Sequence, residues 1–486
     1  MDDPVSAFGR KAITLFLLGV CWLPAGYGEA TVPRILPESI AATLNNLGMT
    51  LQGLSLYVHE IGQADPLLDV AADVPRQPAS TIKILTTLAA LEQLSPAWRW
   101  KTEAYVNGPI LNGRLEGDIF IKGFGDPFLV IEHFWAFLRL LRAEGLTSIR
   151  GDLVLDQSYF AREPGDASEF DNQPLRAYNV LPNALLVNFQ AVNFRFMPQP
   201  SRNRVRIYAD PLPANVEIEN RVALTRGACR GWASHLGMKV KQKDERTRVI
   251  FSGSYDAACG DNELFRVVSD PASQVLGTFQ TLWSELGGTF EGGAREGWVP
   301  PDARLLATKY SPPLADVIRL INKYSNNVMT RQLLLTLGAE LAGPPGTSEK
   351  GIQAIRSWLK RSDLVFPELV LENGAGLSRT ESISARHLGE LLLTAWHSPY
   401  MPEFISSLPI IAMDGTLRKH FNNTSFDGRV HLKTGSLRDV RTFAGIVHDH
   451  AGRRVVVVCL YNHPRAETMA GEALQESVLQ WVYNRP

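Results

Sequence analysis

A serine followed three residues later by a lysine stands at Ser80-Thr81-Ile82-Lys83, at the head of a segment whose apolar residues Ile82, Leu85, Leu88, Ala89 and Leu91 recur at helical spacing. One helical turn would bring the hydroxyl and the ammonium to the same face. A serine hydroxyl is a weak nucleophile until a base takes its proton. A lysine is a base only when neutral, which requires its pKa to fall from about 10.4 through desolvation and a nearby second cation. Ser80 and Lys83 are therefore candidates for nucleophile and base. The spacing alone carries little, because average residue usage gives about one or two such matches by chance in a chain of this length.

Two further groups give the pair a context. Ser325-Asn326-Asn327 lies between two apolar helical segments, where a break would aim Ser325 and Asn327 into a cleft. Ser201-Arg202-Asn203 has the same form, but its Pro- and Arg-rich surroundings read as a solvated turn. Lys433-Thr434-Gly435 ends a predicted strand and occurs once, against about 0.2 matches expected by chance. Its lysine offers positive charge to a carboxylate and its threonine a hydrogen bond. Its glycine leaves room for a peptide along a strand edge, although a charged edge strand with a turn has the same look.

The elements that must hold these groups are legible in outline. Strands are predicted over 54–59 and 66–72, then a helix over 80–94 closed by Pro96. From about 104 to 305 short alternating segments dominate, at 118–122, 153–156, 188–196, 204–208 and 248–251. Helical spacing returns after Pro313, over 328–337 and around 351–359. The end reads as strands over 430–433, 442–448 and 454–461 and a helix over 466–483. The expectation is an α+β fold, an antiparallel sheet with helices built from residues 31–104 and 306–486. A mostly β insertion over 105–305, in two subdomains, interrupts it.

Composition narrows the function. With 45% apolar and 20% charged residues and a net charge of −1, the chain is globular and has no basic field for nucleic acid. Arg10-Lys11 ahead of the apolar run 12–23, with Gly28 and Ala30 following, reads as a signal peptide over 1–30, cleaved on export to the periplasm. An oxidising compartment would permit a disulfide between Cys229 and Cys259, while Cys459, closing a run of valines, reads as a buried thiol. His59-Glu60 lacks the second histidine of a zinc-protease helix, and no Gly-x-Ser-x-Gly elbow occurs, so no metal or cofactor is expected.

The order Ser-x-x-Lys, Ser-x-Asn, Lys-Thr-Gly resembles the class C low-molecular-mass penicillin-binding proteins, the D-Ala-D-Ala carboxypeptidase/endopeptidase family, over nearly the whole mature length. The resemblance extends to Ile121-Lys122-Gly123-Phe124-Gly125-Asp126-Pro127, to Ser311-Pro312-Pro313-Leu314, to the run Glu372 through Arg379, to Asp414-Gly415-Thr416-Leu417 and to Ser436-Leu437. It implies a β-lactamase/transpeptidase-like fold and a serine peptidase of peptidoglycan stem peptides that β-lactams acylate. It also implies proton relay by Ser325, substrate-amide positioning by Asn327, carboxylate binding by Lys433 and Thr434, and an oxyanion site at the N–H groups of Ser80 and Ser436. Relatives that grip a diaminopimelate side chain carry an acidic residue after a Gly-Trp stretch. This chain has Glu169-Phe170-Asp171-Asn172-Gln173, which leaves Asp171 as the stand-in, with Arg379 and Leu437 beside the same pocket. The competing readings are a β-lactamase of the same fold, which the long interval between Lys83 and Ser325 disfavours, and a non-catalytic peptidoglycan binder, which has no use for a nucleophile beside a base. Oligomeric state is left open.

Overall fold

The computed structural model describes residues 36–243, 246–421 and 424–485. The expected leader, with Cys21, lies outside them. Five antiparallel strands form the central sheet, in the order Val430–Leu437, Val440–His448, Arg454–Asn462, Leu54–Glu60, Leu68–Val70. Both faces are covered, which explains the unbroken valine run: period-two alternation sends Val456, Val458 and Leu460 to one core and Val455, Val457 and Cys459 to the other. The first core holds the helices Lys83–Leu94, Leu314–Tyr324, Asn327–Ala342 and Ala385–His397. The second is closed by Met469–Tyr483, whose Leu474 and Val478 are fully buried, and by Glu38–Asn46. Burial in this second core pushes the Cys459 thiol up to about 12, so it is inert at neutral pH.

Two junctions in these helices position chemistry. The α-helix predicted from Ser80 begins instead at Lys83; Ser80 sits in a preceding 3₁₀ turn, Ala79–Ile82, entered through Ala79 at φ 46°. The helix Leu314–Tyr324 ends at Ser325 in a left-handed conformation (φ 56°, ψ 39°), and Asn326 starts the next helix by accepting the Met329 N–H at 3.0 Å. The break expected at Ser325 is thus a one-residue reversal between a stop and a cap.

The central stretch contains the strands anticipated near 118–122, 153–156, 204–208 and 248–251, whereas 188–196 opens as a 3₁₀ turn and becomes a strand only from Val192. Lys101–Val106 and Arg304–Tyr310 pair antiparallel within one five-stranded sheet. Against it pack two helices that the alternating segments did not announce, Ile131–Ala143 and Pro271–Glu285, the second capped by Asp270. Two three-stranded sheets enclose a smaller core around Phe194, Phe196 and Phe251, and Cys229 and Cys259 are disulfide-bonded beside it. Ser201-Arg202-Asn203 forms an exposed turn with Asn203 at φ 46°.

Candidate active site

Lys83 is fully buried, and its Nζ lies 3.0 Å from Ser80 Oγ and 2.7 Å from Asn327 Oδ1, with the Ala375 carbonyl as third partner. A neutral amine has two N–H groups and one lone pair. The two carbonyl-type oxygens use the N–H groups, which leaves the lone pair for the Ser80 hydroxyl. Burial is the largest cause holding the Lys83 pKa well below the ordinary lysine value; the Lys433 charge lowers it further, Glu381 opposes, and Arg331 adds to the lowering. Desolvation and a second cation, the two conditions a lysine base requires, are both present.

Lys433 is equally buried, on the edge strand Val430–Leu437, and donates from Nζ to Ser325 Oγ at 2.9 Å and to the Thr434 carbonyl at 2.7 Å. Thr434 Oγ1 is 3.2 Å from Thr416 Oγ1. The Asp414-Gly415-Thr416-Leu417 turn is held by the ion pair of Asp414 with Lys323 at 2.7 Å. Gly435 is required by proximity: a Cβ there would lie 2.8 Å from both the Ser80 nitrogen and the Pro78 oxygen. The strand edge therefore runs directly beside the Ser80 backbone.

The loop carrying Ala375 is organised by a residue that sequence reasoning missed. Glu381, buried to 1% exposure, accepts the backbone N–H groups of Glu372, Asn373 and Gly374 through Oε1 and of Gly376 through Oε2, at 2.7 to 3.1 Å. Gly376, at φ 80°, brings the loop onto Ser80, since a Cβ there would stand 2.7 Å from the Ser80 nitrogen. Arg331, four residues beyond Asn327 and therefore on the same helix face, was also missed. Neither residue stands in one of the motifs, so no local sequence signal marked either.

Ser80, Lys83, Ser325, Asn327, Lys433, Thr434, Gly435 and Ser436 thus converge, and a cavity of about 410 Å³ opens over Ser80, Ser325, Thr434 and Ser436. Arg379 and the 169–173 segment also meet, but the member that touches Arg379 is Phe170, whose ring centroid lies 4.8 Å from the guanidinium carbon. Asp171 is engaged by its own loop, accepting from Tyr178 Oη at 2.6 Å, Asn179 Nδ2 at 2.8 Å and the Gln173 N–H at 3.0 Å. Burial would raise its pKa, but these hydrogen bonds prevail and lower it. Leu437 ends the edge strand opposite Val440. Among the described residues no group of three or more His, Cys, Asp or Glu side chains is arranged to hold a metal ion.

The depressed lysines have a consequence for stability. Burial brings Lys433 down to about 7, whereas an unfolded lysine titrates near about 10.4. Between these values the unfolded chain binds the extra proton, so stability should rise with pH across this window. Lys433→Met is expected to flatten that rise in denaturant midpoints measured from pH 7 to 10.

An antiparallel sheet with helices on both faces, carrying a serine against a buried lysine and a second serine against a second buried lysine, defines the serine transpeptidase-like class. A model of the D-Ala-D-Ala carboxypeptidase 3 (S13) family matches residues 36–484. The chain is 30% identical over 383 residues to a D-alanyl-D-alanine carboxypeptidase of Actinomadura sp. (strain R39), covering 76% of this chain and 70% of that one. It is 26% identical to the D-alanyl-D-alanine carboxypeptidase DacB of Haemophilus influenzae, over 97% of this chain and 96% of the relative. The crystal structure of penicillin binding protein 4 from Haemophilus influenzae superposes with a TM-score of 0.75 at 22% identity, over 92% of this chain and 100% of that one. This chain belongs to the D-Ala-D-Ala carboxypeptidase 3 (S13) family, and it is a serine-type carboxypeptidase.

Proposed function

We propose that this protein is a D-Ala-D-Ala carboxypeptidase and endopeptidase of peptidoglycan stem peptides and cross-links, working through an acyl-enzyme on Ser80. The observation that carries the reading is the fully buried Lys83 amine, 3.0 Å from the Ser80 hydroxyl. Ser80 Oγ attacks the carbonyl carbon of the penultimate D-Ala and its proton passes to Lys83. The N–H groups of Ser80 and Ser436 receive the oxyanion. The C–N bond then breaks, and Ser325, bonded to Lys433, relays the proton taken up by Lys83 to the departing amine, so that Lys83 is neutral and Ser325 a hydroxyl again. Asn327 orients the substrate amide. Lys433 and Thr434 hold the terminal carboxylate, whose negative charge favours the protonated state of a lysine otherwise depressed to about 7. Water releases the acyl group.

A β-lactam follows the same course, except that its opened amide stays tethered and blocks water, which makes penicillin a covalent inhibitor. On the acyl side Arg379, Phe170 and Leu437 border the stem-peptide side chain, with Asp171 holding that loop through Tyr178 and Asn179. Export to the periplasm with removal of residues 1–30 belongs to the same reading. So does a catalytic body of 31–104 and 306–486 with an insertion over 105–305. The pairing of Lys101–Val106 with Arg304–Tyr310, where the chain leaves and returns, supports that division.

Purified protein should bind fluorescent penicillin covalently and release D-Ala from a D-Ala-D-Ala pentapeptide. Absence of both labelling and release would sink the reading, and rapid turnover of a chromogenic cephalosporin would replace it with a β-lactamase.

A further inference from the structure

Of the five consecutive N–H groups from Glu372 to Gly376, four end on the Glu381 carboxylate and the fifth, that of Ala375, on Asn373 Oδ1 at 3.0 Å. Every hydrogen bond to this carboxylate comes from a main-chain donor. A carboxylate is the side chain with lone pairs enough for four donors, and a protonated acid would need an acceptor that none of these partners offers. The arrangement therefore fits the ionised form. Burial raises the Glu381 pKa, and the N–H groups of Glu372, Asn373 and Gly374 and the charge of Lys83 act against it. Ionisation places a full negative charge, 1% exposed, beside a site of buried cations.

The loop that Glu381 holds is fastened to both members of the catalytic pair. The Ala375 carbonyl accepts from Lys83 Nζ, and the Gly374 carbonyl accepts from Thr86 Oγ1 at 2.7 Å, on the helix that Lys83 begins. Gly376 lies against the 3₁₀ turn of Ser80, where a Cβ would stand 2.1 Å from the Ala79 oxygen. Three elements bring charge to bear on Lys83. Lys433 on the edge strand and Arg331 on the helix Asn327–Ala342 favour its neutral form, and Glu381 favours its protonated form. Arg331 in turn feels Glu381, Glu372 and Glu163. Of the three charges acting on Lys83, that of Glu381 alone is negative. When Ser80 gives up its proton, Lys83 becomes charged in a space that already holds two cations, and a fixed anion favours that product.

Resting on the acyl-enzyme reading above, we infer that Glu381 is a positioning residue for the base: it fixes the loop that holds Lys83 against Ser80 and supplies the buried negative charge against which Lys83 takes up the serine proton. The proton moves from Ser80 Oγ to Lys83 Nζ as Oγ bonds the carbonyl carbon. Glu381 gains no proton and touches no substrate. Without its charge Lys83 is a weaker base.

The test is the second-order rate constant for acylation by benzylpenicillin, followed from about pH 5 to about pH 9 in wild type, Glu381→Gln, Glu381→Asp and Glu381→Asn, with the Tm of each. Glu381→Gln keeps the length and loses the charge. Removing an anion lowers the Lys83 pKa, so the acid limb of this variant should move to lower pH by about one unit, the low end for loss of a nearby opposite charge. Its plateau should fall by up to about tenfold, the most that a base weaker by one unit can lose. Glu381→Asp keeps the charge on a shorter arm, so its plateau should fall while its acid limb stays at the wild-type position. Asp against Asn repeats the comparison at fixed length and serves if the Gln variant does not fold. An acid limb unmoved in both Gln and Asn variants, with wild type labelled by penicillin, reduces Glu381 to a structural role and overturns the inference alone. A wild type that penicillin does not label overturns it together with the acyl-enzyme reading.

Discussion

Ser80→Ala is expected to lower D-Ala release by on the order of 10⁴-fold or more, the scale on which loss of a nucleophile acts in serine hydrolases. The reason is local. Lys83 has its remaining coordination filled by Asn327 Oδ1 and the Ala375 carbonyl, so its lone pair addresses the Ser80 hydroxyl and has no other nucleophile to activate. Ser325, another serine of the cleft, lies 2.9 Å from Lys433 and stands in a left-handed backbone conformation between two helices, a position that suits the proposed proton relay. The variant should fold, because Ser80 is half-buried and alanine keeps the 3₁₀ turn. Release of D-Ala from pentapeptide, followed by a coupled amino-acid assay, measures the loss. Retention of more than about a hundredth of wild-type turnover would remove Ser80 from the nucleophile role.

Lys83→Met is expected to cost about 10²–10⁴-fold in acylation rate, the contribution typical of a general base. The methionine fills the buried volume but leaves the Asn327 and Ala375 oxygens without their donor, so part of any loss is structural. The pH profile separates the two causes. A neutral lysine is the active form, and its pKa lies well below the ordinary value, so wild-type acylation should decline only as pH falls through that depressed value. In Lys83→Met this acid limb should vanish. Lys83→Arg should not rescue, because a guanidinium cannot be deprotonated in this range. A persisting acid limb in Lys83→Met would assign the base elsewhere.

What was legible in the sequence depended on how local the signal was. Ser80, Lys83, Ser325 and Lys433 stand in short motifs on elements with clear periodicity, and the structure brings them together. The break at Ser325 was readable because two apolar helical faces end and begin around it. Glu381 was not readable. Its role is to collect N–H groups of a loop whose turns are set by Gly374 and Gly376, and that emerges only once the loop is closed. The helix Ile131–Ala143 did have a sequence signal, since Phe134, Phe137, Leu138 and Leu141 follow helical spacing, but the surrounding alternation concealed it. Asp171 was singled out as an acidic residue near a substrate pocket. Its tie to Tyr178 and Asn179, seven and eight residues away, is a matter of loop geometry that composition cannot express.

Under the proposed mechanism this chain acts through a covalent intermediate on Ser80. The most direct measurement is peptide mapping by mass spectrometry of the protein quenched after reaction with benzylpenicillin. The expected result is one adduct of the mass of the intact antibiotic, on the peptide containing Ser80 and absent from Ser80→Ala. An adduct on another residue, or one that survives in Ser80→Ala, would contradict it.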